Sequence, residues 1–353
     1  MTLYDCKLYM DDVKKVATLD YRWDELKDKT VAISGGTGMI GSFLVDVLMY
    51  RNDILSQNIE VYVLGRNKDK AEKRFVKYIG HDKFHFLEWD INRPMGQPPK
   101  ITVDYIIHAA SSTHPLAYAG DPVGTISANV MGTDNLLRWA VNVKSRRFIF
   151  LSSVEIYGEN RGDTDKFAED YMGYIDCNTL RAGYPESKRT GEALCQAYRK
   201  QAGMDIVIPR ISRVYGPTLL SSDTKAISQF IKKGVLGEDI VLKSEGNQLY
   251  SYCYVADAVS AIIKLLSEGK SGEAYNVASC SSDFMLKELA NIIAEYADSK
   301  VVFELPDAME RAGYSKATKA TLDVSKLNAA GWTSLYDMRD GLARTIDIMR
   351  EIA

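Results

Sequence analysis

Thr30-Val-Ala-Ile-Ser34-Gly35-Gly-Thr37-Gly38-Met39-Ile40-Gly41 is the stretch from which the rest of the chain can be read. Thr30 to Ser34 suits a buried strand, and the apolar run from Phe43 to Met49 suits a helix. Between them, glycines stand at positions 35, 38 and 41. A strand that turns through spaced glycines into a helix presents free N–H groups and a partial positive charge at the helix N-terminus. Without side chains in the way, a pyrophosphate can approach that backbone. The stretch therefore predicts a dinucleotide site built from Gly35, Thr37, Gly38, Met39, Ile40 and Gly41.

Working outward, Ile59 to Leu64 reads as a second strand that ends in Gly65-Arg66-Asn67. A carboxylate there would accept from the adenosine ribose and favour NAD. Gly65-Arg66 leaves space and a guanidinium for a 2′-phosphate, so the cofactor is expected to be NAD or NADP, with NADP favoured. Phe84 to Ile91 is a third strand, which brings Asp90 and Ile91 to the adenine edge. Asn92 to Lys100, with its three prolines, is a loop. Tyr105 to Ser111 is a fourth strand running into Ala109, Ala110 and Ser111, small residues that admit a cofactor. His108 on that strand has no dyad or metal partner in the sequence around it and reads as a packed histidine. A helix from Asp121 to Lys144 carries Asn129, and the strands Arg147–Ser153 and Asp205–Arg210 follow.

Strands and helices alternating at these lengths predict an α/β fold, a Rossmann-type doubly wound parallel sheet with a smaller interleaved C-terminal substrate lobe. The expected division is an N-terminal helical extension at 1–29, a dinucleotide-binding domain at 30–212 with returns near 250–280, and a substrate lobe at 213–353. Helix is also expected over Leu322–Leu327 and Met338–Ile352.

Arg181-Ala-Gly-Tyr184-Pro-Glu-Ser-Lys188 carries the chemistry. On a helix, Tyr184 and Lys188 lie one turn apart on one face. A free phenol, with a pKa of about 10, is a poor base at neutral pH. An ammonium one turn away would favour the phenolate and bring it toward a working range. A tyrosine and a lysine at this spacing usually form an ordinary solvated helix face. The preceding glycine turn and the hydroxyls of Ser152-Ser153 at a strand end single this pair out.

The 353 residues are 46% hydrophobic and 26% charged, as expected of a globular chain long enough for one large unit and a smaller one. A net charge of −3 offers no footprint for nucleic acid or an anionic membrane. Five scattered cysteines without a C-x-x-C pair argue against a metal site and for reduced thiols in a cytoplasm. No apolar run approaches ~20 residues and the N-terminus is too charged for a signal peptide, so no membrane partner is expected.

With the glycine turn, Ser152-Ser153 and Tyr184/Lys188 in place, the chain resembles the extended short-chain dehydrogenase/reductase family over nearly its whole length. Asn129 in Asn-Val-Met-Gly-Thr and Tyr215-Gly-Pro217 add to the resemblance, which points to the sugar-nucleotide epimerases, dehydratases and decarboxylases. The segment Glu169-Asp-Tyr-Met-Gly through Arg181-Ala-Gly-Tyr-Pro-Glu-Ser-Lys-Arg189 is similar to that of UDP-glucuronate decarboxylases. Glu155, two residues past Ser153, fits decarboxylases and 4,6-dehydratases. Val154 stands where dTDP-type dehydratases carry an aspartate.

The resemblance implies Ser153, Glu155, Tyr184 and Lys188 as catalytic residues. Tyr184, Lys188 and Asn129 would also hold the cofactor, and Ser112, Arg181, Arg213, Tyr250 and Arg311 would meet the substrate. It implies a nucleotide-sugar substrate, a transient 4-keto intermediate, decarboxylation of a UDP-glucuronate-like molecule, and a homodimer. A 4,6-dehydratase and a 4-epimerase are the alternatives; a cofactor-binding regulator without chemistry would have no need of Ser153, Tyr184 and Lys188 together. Two positions depart from the pattern. Arg213 replaces an asparagine beside the substrate phosphates, and Tyr250 replaces an arginine that clamps the diphosphate. Arg213, Arg210 or Arg311 would have to substitute for that donor.

Overall fold

The computed structural model describes residues 1–96, 101–111, 113, 120–304 and 317–353. Ser112 and Arg311, both expected at the substrate, lie outside the described residues.

In chain order, α1 (Lys7–Ala17) precedes β1 (Thr30–Ser34), α2 (Met39–Leu55), β2 (Glu60–Gly65), α3 (Lys68–Arg74), β3 (Phe84–Glu88) and β4 (Tyr105–His108). Helix α4 (Pro122–Asn142), β5 (Arg147–Phe150), β6 (Ser152–Ser153), α5 (Gly183–Ala202) and β7 (Ile206–Ile211) complete the first half. The second half holds β8 (Arg213–Tyr215), α6 (Ala226–Leu236), β9 (Ile240–Leu242), β10 (Leu249–Tyr254), α7 (Val255–Glu268) and β11 (Ala274–Val277). It ends with β12 (Asp283–Met285), α8 (Leu286–Ala297), β13 (Val301–Phe303), β14 (Lys319–Ala320), α9 (Ser325–Ala329) and α10 (Met338–Ile352).

The main sheet runs β3-β2-β1-β4-β5-β7-β11, with β6 beside β7, and its pairings are parallel. Its central strands alternate between two cores. Val31, Ile33, Tyr105, Ile107 and Ile149 join the cluster around α1, α2 and α7, whereas Ala32, Ile106, Phe148 and Phe150 join the one around α4 and α5. The pleat sends successive side chains to opposite faces, and both faces are covered, so these strands are apolar at nearly every position. After Ser212 the chain crosses from β7 to β8, which pairs with β10 in a smaller sheet of order β12-β10-β14. Later, β11 returns to the main sheet beside β7.

The N-terminal segment is more than a preamble to this fold. Tyr9, Val13, Val16, Trp23 and Leu26 are in the core, and α1 packs on α2, α7 and α10. Asp12, fully buried, accepts hydrogen bonds from the Tyr254 hydroxyl at 2.6 Å and from Arg344 Nε at 2.7 Å. Tyr336 donates to the same carboxylate.

Several element bounds differ from expectation: the fourth strand ends at His108, and the fifth is broken after Phe150. The third strand stops at Glu88 rather than Ile91, and just beyond it the Asn92 N–H turns back onto Asp90 Oδ1. The helix expected over Leu322–Leu327 is confined to Ser325–Ala329, since Leu322 bridges to Phe167 as an extended residue. No helix among the described residues is long and apolar enough to cross a membrane.

Candidate active site

The glycine turn joins β1 to α2 as expected, but its glycines serve different ends. At Gly35, φ is +70° and an added Cβ would lie 2.6 Å from the Ala110 backbone nitrogen. At Gly41 it would press on the backbone of Gly35 and Gly36. These two positions are dictated by packing of the turn on itself and on the end of β4. Gly38 is the open one, where the only close atom among the described residues is Gly35 O, at 3.2 Å. It is the N-cap of α2, and no side chain caps that helix, so its first N–H groups suit a phosphate. Thr37, Met39 and Ile40 flank it half-buried. Ala109, Ala110 and Ser111 line the neighbouring end of β4. A dinucleotide fits this cradle.

Tyr184 and Lys188 lie in the first turns of α5, both buried. Tyr184 interacts with the hydroxyls of Ser153 and Ser111, so the sequence-distant groups expected to share one oxygen do meet. Burial pushes the Tyr184 phenol up to about 12; Ser153 pulls it down, Glu155 pushes it up and Arg181 pulls it down. Lys188 Nζ donates to Leu151 O at 2.8 Å and lies 4.9 Å from the centre of the Phe150 ring. Burial brings Lys188 itself down to about 8. In the free protein the ammonium anchors the helix to the strand end, and desolvation outweighs any help it gives the phenol.

Ser153 closes β6 and accepts from the Glu155 N–H at 3.2 Å, which starts the short turn Val154–Tyr157 and brings Glu155 into the site. Arg181 donates to Glu155 Oε2 at 2.8 Å. Arg213 Nη2 stands 3.6 Å from Oε1, and its guanidinium lies 3.4 Å from the centre of the Tyr250 ring. Glu155, Arg181, Arg213 and Tyr250 thus form one charged cluster beside Tyr184.

A family model described as the NAD dependent epimerase/dehydratase family matches residues 31–278. The chain belongs to that family. It is 33% identical over 317 residues to UDP-glucuronic acid decarboxylase 3 of Arabidopsis thaliana, covering 88% of this chain and 86% of the relative. Among solved structures it is similar to the dTDP-glucose 4,6-dehydratase DesIV of Streptomyces venezuelae with NAD bound. That match has a TM-score of 0.77 and 24% identity over 91% of this chain and 97% of the other. It is equally similar to UDP-glucuronic acid 4-epimerase of Bacillus cereus, in complex with UDP-glucuronic acid and NAD. There the TM-score is 0.77 and identity 20%, over 92% of this chain and all of the other.

Within this member of the family, a hydrogen-bond chain without a signature in the sequence ties the glycine turn to the tyrosine helix. Ser111 Oγ donates to Asn129 Oδ1 at 2.7 Å, Asn129 Nδ2 donates to Ser187 Oγ at 2.9 Å, and Ser187 donates to Tyr184 O at 2.8 Å. Thr133 donates its hydroxyl to Asn129 O, so its oxygen is left to accept from His108 Nε2 at 3.1 Å. The His108 Nδ1 then accepts from Ser34, 2.8 Å away. Burial and the nearby Lys188 hold His108 well below the usual imidazole range, which makes it a neutral link. It is the packed histidine expected. Thr133 and Ser187 carried no signal in the sequence, because a hydroxyl inside a helix reads as solvent-facing.

Arg210 is removed from the diphosphate candidates. It is 5% exposed, holds Glu192 through Nε at 3.0 Å and Nη2 at 2.7 Å, and spends Nη1 on the Tyr157 hydroxyl and Glu169 O. Asp90 and Ile91 reach the C-terminal end of β3, where Ile91 O accepts from Asn135 and its side chain fills the space above Gly132. Arg66 is exposed at the end of β2. Groups of His, Cys, Asp or Glu able to hold a metal are absent among the described residues.

The depressed Lys188 has a measurable signature. Its pKa falls from about 10.4 in the unfolded chain to about 8 when folded. Between these values the unfolded chain binds more protons, so stability rises with pH; below about 8 the burial cost is fully felt. Lys188→Met lacks this titration. Urea unfolding at pH 8 and 9.5 should therefore show the wild type gaining roughly 1–2 kcal/mol on the variant. A difference that stays flat with pH would refute the burial of the ammonium.

Proposed function

We propose that this protein modifies a nucleotide sugar through a transient 4-ketone, and that its reaction is decarboxylation of a UDP-glucuronate-like substrate. The observation that carries this reading is Glu155, a carboxylate two residues past Ser153 that stands beside Tyr184. Kinship to proteins named UDP-glucuronic acid decarboxylase supports it.

The α2 N-terminus, Ser111, Asn129 and Lys188 would hold a nicotinamide dinucleotide, which would supply reversible hydride transfer at C4. Tyr184 takes the proton of the 4-hydroxyl, and Ser153 hydrogen-bonds the same oxygen. To take that proton Tyr184 must enter the step as the phenolate; burial opposes that charge, and Ser153 and Arg181 favour it. With C4 a ketone, the C5–C6 bond can break, carbon dioxide leaves, and the electron pair is held as an enolate. Glu155, positioned by Arg181, orients the sugar and manages the proton that C5 then takes up. Tyr184 returns its proton when the C4 hydroxyl is restored.

Mass spectrometry of the wild type with UDP-glucuronate should find loss of carbon dioxide. Loss of water from a UDP- or dTDP-hexose, or an unchanged mass with inverted C4, would move the reading to a dehydratase or an epimerase. Tyr184→Phe should lose roughly two to four decades of rate. Glu155→Gln should still reduce its cofactor with substrate but release little product; full turnover would count against decarboxylation.

We propose NAD as the working cofactor, since relatives of known structure carry it, while Arg66 supplies the only case for NADP. Calorimetry should find NAD binding to Arg66→Ala within about twofold of wild type, since Arg66 meets only a 2′-phosphate, and any NADP binding reduced at least tenfold. Equal losses for both would show that Arg66 touches a part the two cofactors share.

A homodimer is proposed through α4 and α5, which pack together and leave Val123, Ile126 and Met131 exposed on α4. Light scattering at micromolar concentration should give a dimer, and Ile126→Asp a monomer. A wild-type monomer refutes this.

A further inference from the structure

Arg213 is held in an unusual way for an arginine so little exposed. Arg74, Arg210 and Arg344 each donate directly to a carboxylate, of Asp46, Glu192 and Asp12 respectively. Arg213 does not. Its distance to Glu155 Oε1 is 3.6 Å, too long for a hydrogen bond, while Arg181 holds the other oxygen at 2.8 Å. Its position is set instead by the Tyr250 ring, which it covers at 3.4 Å from the centroid. Tyr250 is itself fixed, because its hydroxyl donates to Ala317 O at 2.7 Å.

The donors of this guanidinium are not all used. Nη1 is buried and has no hydrogen-bond partner among the described residues. Directly opposite Arg213 in the β8–β10 register stands Tyr252, whose fully buried hydroxyl is also without a partner among them. Two unpartnered buried donors on one face of the small sheet are costly unless something accepts from them. Were Arg213 present only to neutralise Glu155, the closer Arg181 would already suffice. The cluster of two guanidiniums and one carboxylate is left with a net positive charge beside Tyr184.

We propose that Arg213, laid flat on Tyr250, binds an oxyanion of the substrate, either a phosphate oxygen of the nucleotide or a carboxylate on the sugar. The inference rests on the nucleotide-sugar reading above and assigns the anion-binding role to this arginine. Stacking fixes the plane of the fork, and its outer donors receive the oxyanion. Glu155 stays with Arg181.

Titration calorimetry on the purified protein with UDP, UDP-glucose and UDP-glucuronate tests this. Arg213→Gln should bind at least about tenfold more weakly. An equal loss for all three ligands identifies a phosphate oxygen; a loss for UDP-glucuronate alone identifies the carboxylate. Affinities within about twofold of wild type for all three overturn the proposal. Should Arg213→Gln fail to fold, Tyr250→Leu keeps the arginine and removes its platform, and should show the same pattern with a smaller loss. Unchanged affinity in that variant overturns the proposal as well. A wild type that binds none of the three, nor dTDP, GDP or CDP, would instead remove the nucleotide-sugar reading, and this inference with it.

Discussion

The bond from Lys188 Nζ to Leu151 O is the constraint on which the site depends. It draws α5 onto the end of β5, where Gly191 meets the Phe150 ring so closely that a methyl group would collide with it. With the helix seated there, Tyr184 comes to Ser153, and the turn after Ser153 carries Glu155 to the same place. An ammonium buried at this point is expensive. It is tolerated because the carbonyl accepts one of its hydrogen bonds and the Phe150 ring offers its face.

Around that anchor the polar groups form two systems of opposite character. On the cofactor side, Ser111, Asn129, Ser187, Thr133, His108 and Ser34 form a neutral network linked hydroxyl by amide by imidazole. A satisfied network of this kind holds a geometry without committing charge. On the substrate side the cluster is ionic, with Glu155 between Arg181 and Arg213. The chemistry proposed here needs both, a rigid neutral frame for hydride transfer and a charged wall where a carboxylate or phosphate must be received.

The rest of the chain buttresses this arrangement from behind. Asp12, Tyr254, Tyr336 and Arg344 join the first helix to the last across the whole length of the chain. Asp46, Tyr9 and Arg74 repeat the device between α1, α2 and α3. Buried carboxylates held in this way need their partners, because removing one leaves an uncompensated charge.

By itself the sequence determined the sheet, the glycine turn and the Ser153, Tyr184 and Lys188 set. Each of these rests on local rules, namely apolar strand residues, spacing of glycines and i,i+4 placement on a helix. The burial of Asp12 had no local signature, because the tyrosines and arginine that bury it lie more than two hundred residues away. The surroundings of Lys188 are a further case: spacing put it one turn from Tyr184, while its bond to a strand carbonyl and its burial were decided by packing. Arg213 and Tyr250 were legible only as two departures from a pattern. Their becoming one stacked unit required the pairing of β8 with β10, and pairing between distant strands is a property of the tertiary structure.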